Sequence, residues 1–270
     1  MKNWTGERLE TFVYNRIAIE HLHRYAITNN YTKGKIILDI ASGEGYGAAL
    51  MSKEASFVYG VDIDKEAISR AKLKYTQKNI EFLEGSTNAI PLDDNTIDVV
   101  ISFETIEHHD EHDKMMLEIK RVLKPDGIVI ISTPDKLYYS EERNLLNEFH
   151  VKELYKHEFK NLINNYFNHQ QLLTQLYNNG NSIIQDDIEK NNLMLYYGNY
   201  LSIKNRAVKP MFLISIASDF EFEKHDLSIF DGGYFVKNEL MAEFRGSSTY
   251  KIGHLVLLPI KYLKRIFKSK

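Results

Sequence analysis

The sequence predicts a doubly wound α/β domain built on a mostly parallel, seven-stranded sheet with helices on both faces. Short apolar runs alternate with amphipathic stretches from residue 36 onward, the pattern of strands covered by helices. A Gly-rich turn, Gly43-x-Gly45-x-Gly47, follows the first apolar run. The 270 residues are 43% hydrophobic and 26% charged, enough for one large domain with an elaboration.

In order, residues 36–40 read as a strand entering the tight turn, and 48–53 as the helix leaving it. Strand 57–61, helix 65–75 and strands 80–83 and 97–102 continue the alternation. A helix at 113–123, the turn Lys124-Pro-Asp-Gly127 and a strand at 128–132 come next. A helix at 151–164, a strand at 167–173 and a last strand at 211–217 complete the sheet. Residues 178–205 are polar and weakly periodic, and read as an insertion of the kind that forms substrate lids. The expected boundaries are an N-terminal helical cap at 1–34, the main domain at 35–220 and an extension at 221–270.

Lys and Arg number 34 against 37 Asp and Glu, a formal net charge of −3. The whole chain therefore offers no footprint for a nucleic-acid backbone, and no nucleic-acid partner is expected. The absence of cysteine excludes thiolate nucleophiles, Cys-ligated zinc and disulfides. The first eight residues are polar, and no run is long enough to span a bilayer, so the cytoplasm is the expected compartment.

Gly43, Gly45 and Gly47 let the backbone turn sharply and let a ligand approach where a Cβ would collide, while the next helix offers free N–H groups. That suits any nucleotide-like cofactor, and Gly43-x-Gly45-x-x-Ala48 also satisfies the dinucleotide fingerprint. Asp62, about 20 residues on, suits ribose hydroxyls in either case. The glycines alone leave a dehydrogenase and a methyltransferase both open.

Four segments together, 38–45, Gly60-Val-Asp-Ile-Asp64, Ile90-Pro-Leu-Asp-Asp94 and 118–127, resemble the successive motifs of class I S-adenosylmethionine-dependent methyltransferases. The resemblance implies the Rossmann-like methyltransferase fold and S-adenosylmethionine as cofactor. By it, Gly43 and Gly45 line the methionine part, Asp62 holds the ribose, Ile63 packs on adenine, and Ser86 and Thr87 lie near the adenine edge. Many relatives carry Asp where Ser86 stands. Ala41, at the start of the loop, and Phe103, at the end of the fourth strand, complete the expected set.

After the fourth strand the chain reads Phe103-Glu-Thr-Ile-Glu-His-His109, at the sheet edge where ligands bind in doubly wound folds. As one helical turn, Glu104, Glu107 and His108 share a face and can converge on one cation. His150, which follows the fifth strand back to the same edge, is the expected fourth ligand. The Glu-x-x-Glu-His pattern resembles the metal site of small-RNA 2′-O-methyltransferases and of the O-methyltransferases of ubiquinone biosynthesis, which act on vicinal hydroxyls. A divalent ion, Mg2+ or Mn2+, chelates two adjacent oxygens and lowers the pKa of one. The alternatives are polar helix-face residues, or a His acting directly as general base, with His108 and His109 as the catalytic candidates.

Thr5-Gly-Glu-Arg8, Glu20-His-Leu-His-Arg-Tyr25, Ser132-Thr-Pro-Asp-Lys136 and Asn147-Glu-Phe-His-Val-Lys-Glu153 resemble methyltransferases found with glycosyltransferases in bacterial surface-polysaccharide synthesis. That implies a sugar-hydroxyl acceptor, on a nucleotide sugar or a lipid-linked glycan. Tyr14, His23 and Arg24 are then expected contacts of an N-terminal segment closing over the cofactor; amphipathic packing alone is the alternative. Rival readings are an O-methyltransferase on a catechol, a small metabolite or terminal RNA ribose, and a non-catalytic cofactor-binding partner of a glycosyltransferase. The tail 260–270 sets Ile260, Leu263, Ile266 and Phe267 against Lys and Arg, the composition of a membrane-surface helix or of a docked terminal helix with a basic face.

Overall fold

A computed structural model describes residues 11, 13–187, 193–253 and 255. The chain starts with α1 (Arg16–Thr32), capped by the Asn15 side chain, which accepts from Ala18 N. Then follow β1 (Ile36–Ile40), α2 (Tyr46–Met51), β2 (Phe57–Asp62), α3 (Lys65–Lys74), β3 (Ile80–Glu84) and β4 (Ile97–Phe103). Asp64 caps α3 by accepting from Glu66 N and Ala67 N, which explains why the helix begins where it does. The second half contains α4 (His112–Val122), β5 (Leu123–Pro134), α5 (Lys156–Asn164), β6 (His169–Asn178), β7 (Asn181–Asp186), β8 (Met194–Asn199) and β9 (Ser202–Ala207). It closes with β10 (Phe212–Ser218), β11 (Ser228–Asp231) and α6 (Gly233–Gly246).

The main sheet has the order β11-β7-β6-β10-β5-β4-β1-β2-β3, with β8 and β9 forming a separate hairpin. Strands β1 to β5 are parallel, and β10 runs antiparallel to both of its neighbours, β5 and β6. Alternate residues of β1 feed two cores. Leu38 and Ile40 pack with Met115, Met116 and Ile119 of α4 and Phe159 and Ile163 of α5. Ile37 faces Tyr25, Ile27 and Tyr31 of α1, Met51 of α2 and Ile68 of α3. Helices therefore cover both faces, and each strand of the centre is apolar on both sides, as parallel strands must be.

Seven strands were expected and the sheet has nine. The added strands are β7, inside the expected insertion, and β11, inside the expected extension. β7 is joined to β6 by the two-residue turn Asn179-Gly180, whose φ values are 47° and 86°. Both central residues of such a turn need positive φ, which is why Asn-Gly favours it. The helix expected at 151–164 starts only at Lys156, because residues 150–153 loop back and hang from Glu107 O through Val151 N and Lys152 N.

His23 of α1 is buried between β7 and β11, with Nδ1 2.9 Å from Ser182 Oγ and Nε2 2.9 Å from Ser228 Oγ. Burial, and then the nearby His225 and Arg24, push its pKa down from 6.5 to about 4. Between those values the unfolded chain binds a proton that the fold refuses, so stability is complete above 6.5 and is lost as the pH falls toward 4. The loss is on the order of 3 kcal/mol. Urea midpoints should drop steeply on acidification from neutral pH, and less steeply in His23→Gln; equal slopes would rule out His23 as a source.

Candidate active site

Two adjoining cavities open at the C-terminal edge of β1 to β5. The first, about 770 Å³, is walled by Ala41, Gly43, Asp62, Ile63, Ser86 and Thr87. The second, about 340 Å³, lies between α1, the loop after β5 and the start of β10. Ala41, Gly43, Glu104 and His108 line both.

The loop after β1 turns through positive φ at Ala41 (62°), Gly43 (55°) and Gly45 (86°). A Cβ on Gly43 would meet nothing within 4 Å, so the glycine there serves the backbone conformation. A Cβ on Gly47 would lie 2.1 Å from the Tyr25 ring, so the glycine there lets α1 and α2 close. Asp62 ties this loop to the next one: Oδ2 accepts from Gly43 N at 2.8 Å and Oδ1 from Asp64 N at 2.8 Å. Beneath the loop, burial pushes the Asp39 carboxyl up to about 7, and Tyr25 Oη donates to it at 3.3 Å. Ile63 is 72% exposed beside Asp62, an apolar side chain presented to the first cavity. Ser86 Oγ donates to Asn88 Oδ1 at 2.6 Å.

The segment after β4 is not one helical turn. Glu104 takes a left-handed φ of 51°, and only Ile106–His108 form a tight 3₁₀ turn. Glu107, His108 and His150 consequently converge, their ligand atoms all within 4.8 Å of one another. His108 Nδ1 lies 2.9 Å from Phe149 O, which can only accept, so Nδ1 carries the proton. His150 Nδ1 bonds a Glu153 carboxylate oxygen, which also accepts from Ser140 Oγ. In each ring that tautomer puts a lone pair on Nε2. The Tyr139 ring stacks on His150 at 5.5 Å. Glu107 is 1% exposed and accepts from Thr133 Oγ1 at 3.1 Å; burial, then the Glu104 charge, raise its pKa well above the carboxylate range.

Glu104, expected as a ligand with these three, is turned away from them. Its Oε1 accepts from Ser132 Oγ at 2.6 Å and lies 3.5 Å from Arg24 Nη1. The left-handed residue ends the i, i+3, i+4 relation on which the expectation rested. Arg24 is fully buried, donates from Nε to Gln175 Oε1 at 2.8 Å and lies over the Phe212 ring, lining the second cavity and not the first. Phe103 likewise faces the second cavity, edge-on to Tyr25. Two other expected contacts of the N-terminal segment lie elsewhere: His23 in the β7 and β11 contact, and Tyr14 against Tyr234 and Phe235 of α6. His109, the alternative base, lines the first cavity, 3.4 Å from Thr87 Oγ1, with its pKa lowered by burial. It is not among the residues that line the second cavity. The segment 5–8 and the tail 260–270 lie outside the described residues.

Arg16, Tyr139 and Arg143, which the sequence did not single out, also line the second cavity, together with Glu20 and Asn147, which it offered only as members of longer motifs. Arg16 Nε donates to Glu20 Oε1 at 2.9 Å, and burial raises the Glu20 pKa. The i, i+4 spacing of Arg16 and Glu20 was visible in the sequence, but the cavity they line was not.

This architecture is the Rossmann-like methyltransferase fold. A solved S-adenosylmethionine-dependent methyltransferase from Thermotoga maritima, described as a possible histamine N-methyltransferase, superposes with a TM-score of 0.55 at 16% identity, covering 75% of this chain and 90% of that one. Residues 38–131 match a family model described as a methyltransferase domain. A probable S-adenosylmethionine-dependent methyltransferase of Mycolicibacterium smegmatis is 34% identical over 157 residues, 58% of this chain and 56% of that protein. A demethylmenaquinone methyltransferase of Chlorobaculum tepidum is 37% identical over 128 residues, 47% and 48% of the two chains. Residues 38–131 thus match a methyltransferase domain, and the relatives that align over this stretch are named as methyltransferases. The chain spans about half the length of the curated relatives it matches.

Proposed function

We propose that this protein is an O-methyltransferase that carries a methyl group from S-adenosylmethionine to a hydroxyl of a sugar-containing acceptor, with a divalent ion chelating neighbouring hydroxyls. The carrying observation is the convergence of Glu107, His108 and His150 on the second cavity, with His108 lining both cavities. The first cavity suits the donor: Asp62 stands where ribose hydroxyls need an acceptor, Ile63 offers an apolar face, and the loop at Gly43 admits the methionine end. S-adenosylmethionine supplies an electrophilic methyl carbon on sulfur.

The donor set fits a metal ion. Two imidazoles with oriented Nε2 lone pairs and one buried carboxylate form an N2O set, and both rings carry the outer hydrogen bonds that metal-binding histidines use. Imidazole suits Mn2+ better than Mg2+, which prefers oxygen. When bound, such an ion lowers the pKa of a chelated hydroxyl and fixes its direction. Glu107 is otherwise a buried carboxylate that accepts from the Thr133 hydroxyl, an arrangement whose desolvation cost a cation offsets. Around the cluster, Arg24, Glu104, Asn147 and Arg143 add polar groups to the cavity lining. A cavity this rich in polar groups suits a polyhydroxylated acceptor better than an apolar one.

The test is transfer of labelled methyl from S-adenosylmethionine to a panel of nucleotide sugars, lipid-linked glycans, catechols and quinols, with Mn2+ or with chelator. Transfer to the sugars that Mn2+ restores after chelation is expected. Transfer only to the quinols or catechols would overturn the acceptor assignment, and full activity in chelator would overturn the metal.

A further inference from the structure

Moving a methyl group from a sulfonium to a hydroxyl leaves a proton to be removed, and the group that takes it must stand where the two reactants meet. With the donor in the first cavity and the acceptor in the second, that place is their junction. Among the residues that line both cavities, only Glu104 and His108 can accept a proton. The lone pair on His108 Nε2 belongs to the cluster with Glu107 and His150, which leaves Glu104.

Glu104 is held in place at that junction. Its φ of 51° is one that side chains other than glycine rarely adopt, and such strain persists only where the surroundings enforce it. Here Glu104 N donates to Ser132 O at 3.2 Å, and Ser132 Oγ donates to Glu104 Oε1 at 2.6 Å. Arg24 Nη1, buried and without a hydrogen bond, lies 3.5 Å from the same oxygen, so one charge faces the other. Arg24 is itself fixed by Gln175, whose Oε1 accepts from Arg24 Nε at 2.8 Å. Gln175 Nε2 in turn donates to Glu20 O at 2.9 Å and to Ser182 Oγ at 2.8 Å. Both anchors of the carboxylate act on Oε1. Among the described residues nothing bonds Oε2, the oxygen left to meet a ligand.

We propose that Glu104 is the general base of the transfer, an inference that rests on the reading of the acceptor as a hydroxyl. As the acceptor oxygen bonds to the methyl carbon, the carbon–sulfur bond breaks and its electron pair stays on sulfur, giving the neutral thioether S-adenosylhomocysteine. The hydroxyl proton passes to Oε2 and from there to solvent once the products leave. Glu107 lines the second cavity alone and does not reach the junction.

Glu104→Gln keeps the length of the side chain and an acceptor for Ser132 Oγ, but not the basic oxygen. On whichever hydroxyl acceptor the labelled-methyl panel returns, its kcat should fall at least about 100-fold. The KM for that acceptor and the calorimetric affinities for S-adenosylhomocysteine and Mn2+ should stay within about threefold of the parent. Glu104→Asp, which restores a carboxylate one methylene short, should recover part of the lost turnover. The inference fails if the Gln variant keeps kcat within about threefold of the parent. It fails equally if S-adenosylhomocysteine affinity is lost with turnover, which makes Glu104 a donor contact, or if Mn2+ affinity is lost, which returns it to the metal. A parent protein that methylates no hydroxyl in the panel overturns the proposed function and this inference with it. A parent active on a catechol in place of a sugar overturns the acceptor alone, and the same variants then judge Glu104 on the catechol.

Discussion

Glu107→Gln should reduce methyl transfer on the order of 100- to 10,000-fold while S-adenosylhomocysteine affinity stays within about twofold. The substitution keeps the side-chain shape and the Thr133 hydrogen bond but removes the only carboxylate of the Glu107, His108 and His150 cluster. Affinity for Mn2+, measured by calorimetry on the unmodified protein and the variant, should fall by at least the roughly 100-fold that marks the loss of an outer-shell partner. The backbone role of Glu107, whose carbonyl accepts from Val151 N and Lys152 N, is untouched, so His150 keeps its place. If Mn2+ affinity and turnover both survive, the cluster is a buried polar network and not a metal centre.

Asp62→Ala should weaken S-adenosylhomocysteine binding by about 100-fold or more. The carboxylate is 4% exposed and holds Gly43 N and Asp64 N at 2.8 Å each, so truncation orphans two backbone donors at the cavity wall. Hydrogen bonds to charged groups are worth about 1.5–3 kcal/mol, and under the proposed function the variant also loses the acceptor for the ribose hydroxyls. Asp62→Asn, which retains one acceptor, should fall between. Calorimetric affinity within about threefold of the parent in the alanine variant would remove Asp62 from the cofactor site.

The lining of the first cavity was legible in the sequence because its signals are local. Apolar runs, the glycines after β1 and the acid after β2 lie within a short stretch, and each has a backbone reason to be where it is. The acceptor half was less legible because it depends on side-chain direction. Glu104 was grouped with Glu107 by helical spacing, and a single left-handed residue broke that relation. Tyr139 lies in the short helical turn Leu137–Glu141 and Arg143 just after it, a stretch too short for a periodic pattern, so nothing marked them. In β7, one strand in from the edge, only Ile183 and Ile184 are apolar, and they are adjacent, which hides the alternation; the Asn179-Gly180 pair before it was the readable clue. The residues of β9 are all exposed, so that strand had no buried face to leave a pattern.

The placement of β10 between β5 and β6 has a consequence for how the chain folds as it is made. Until residues 212–218 have left the ribosome, β5 and β6 each keep an open edge, the arrangement most prone to pairing with the wrong strand. The first cavity is by then almost fully synthesised, because its wall draws chiefly on residues 40–111. A ligand bound there early would stabilise β1 to β4 during the wait, and closing the sheet with β10 brings Phe212 against Arg24 in the wall of the second cavity.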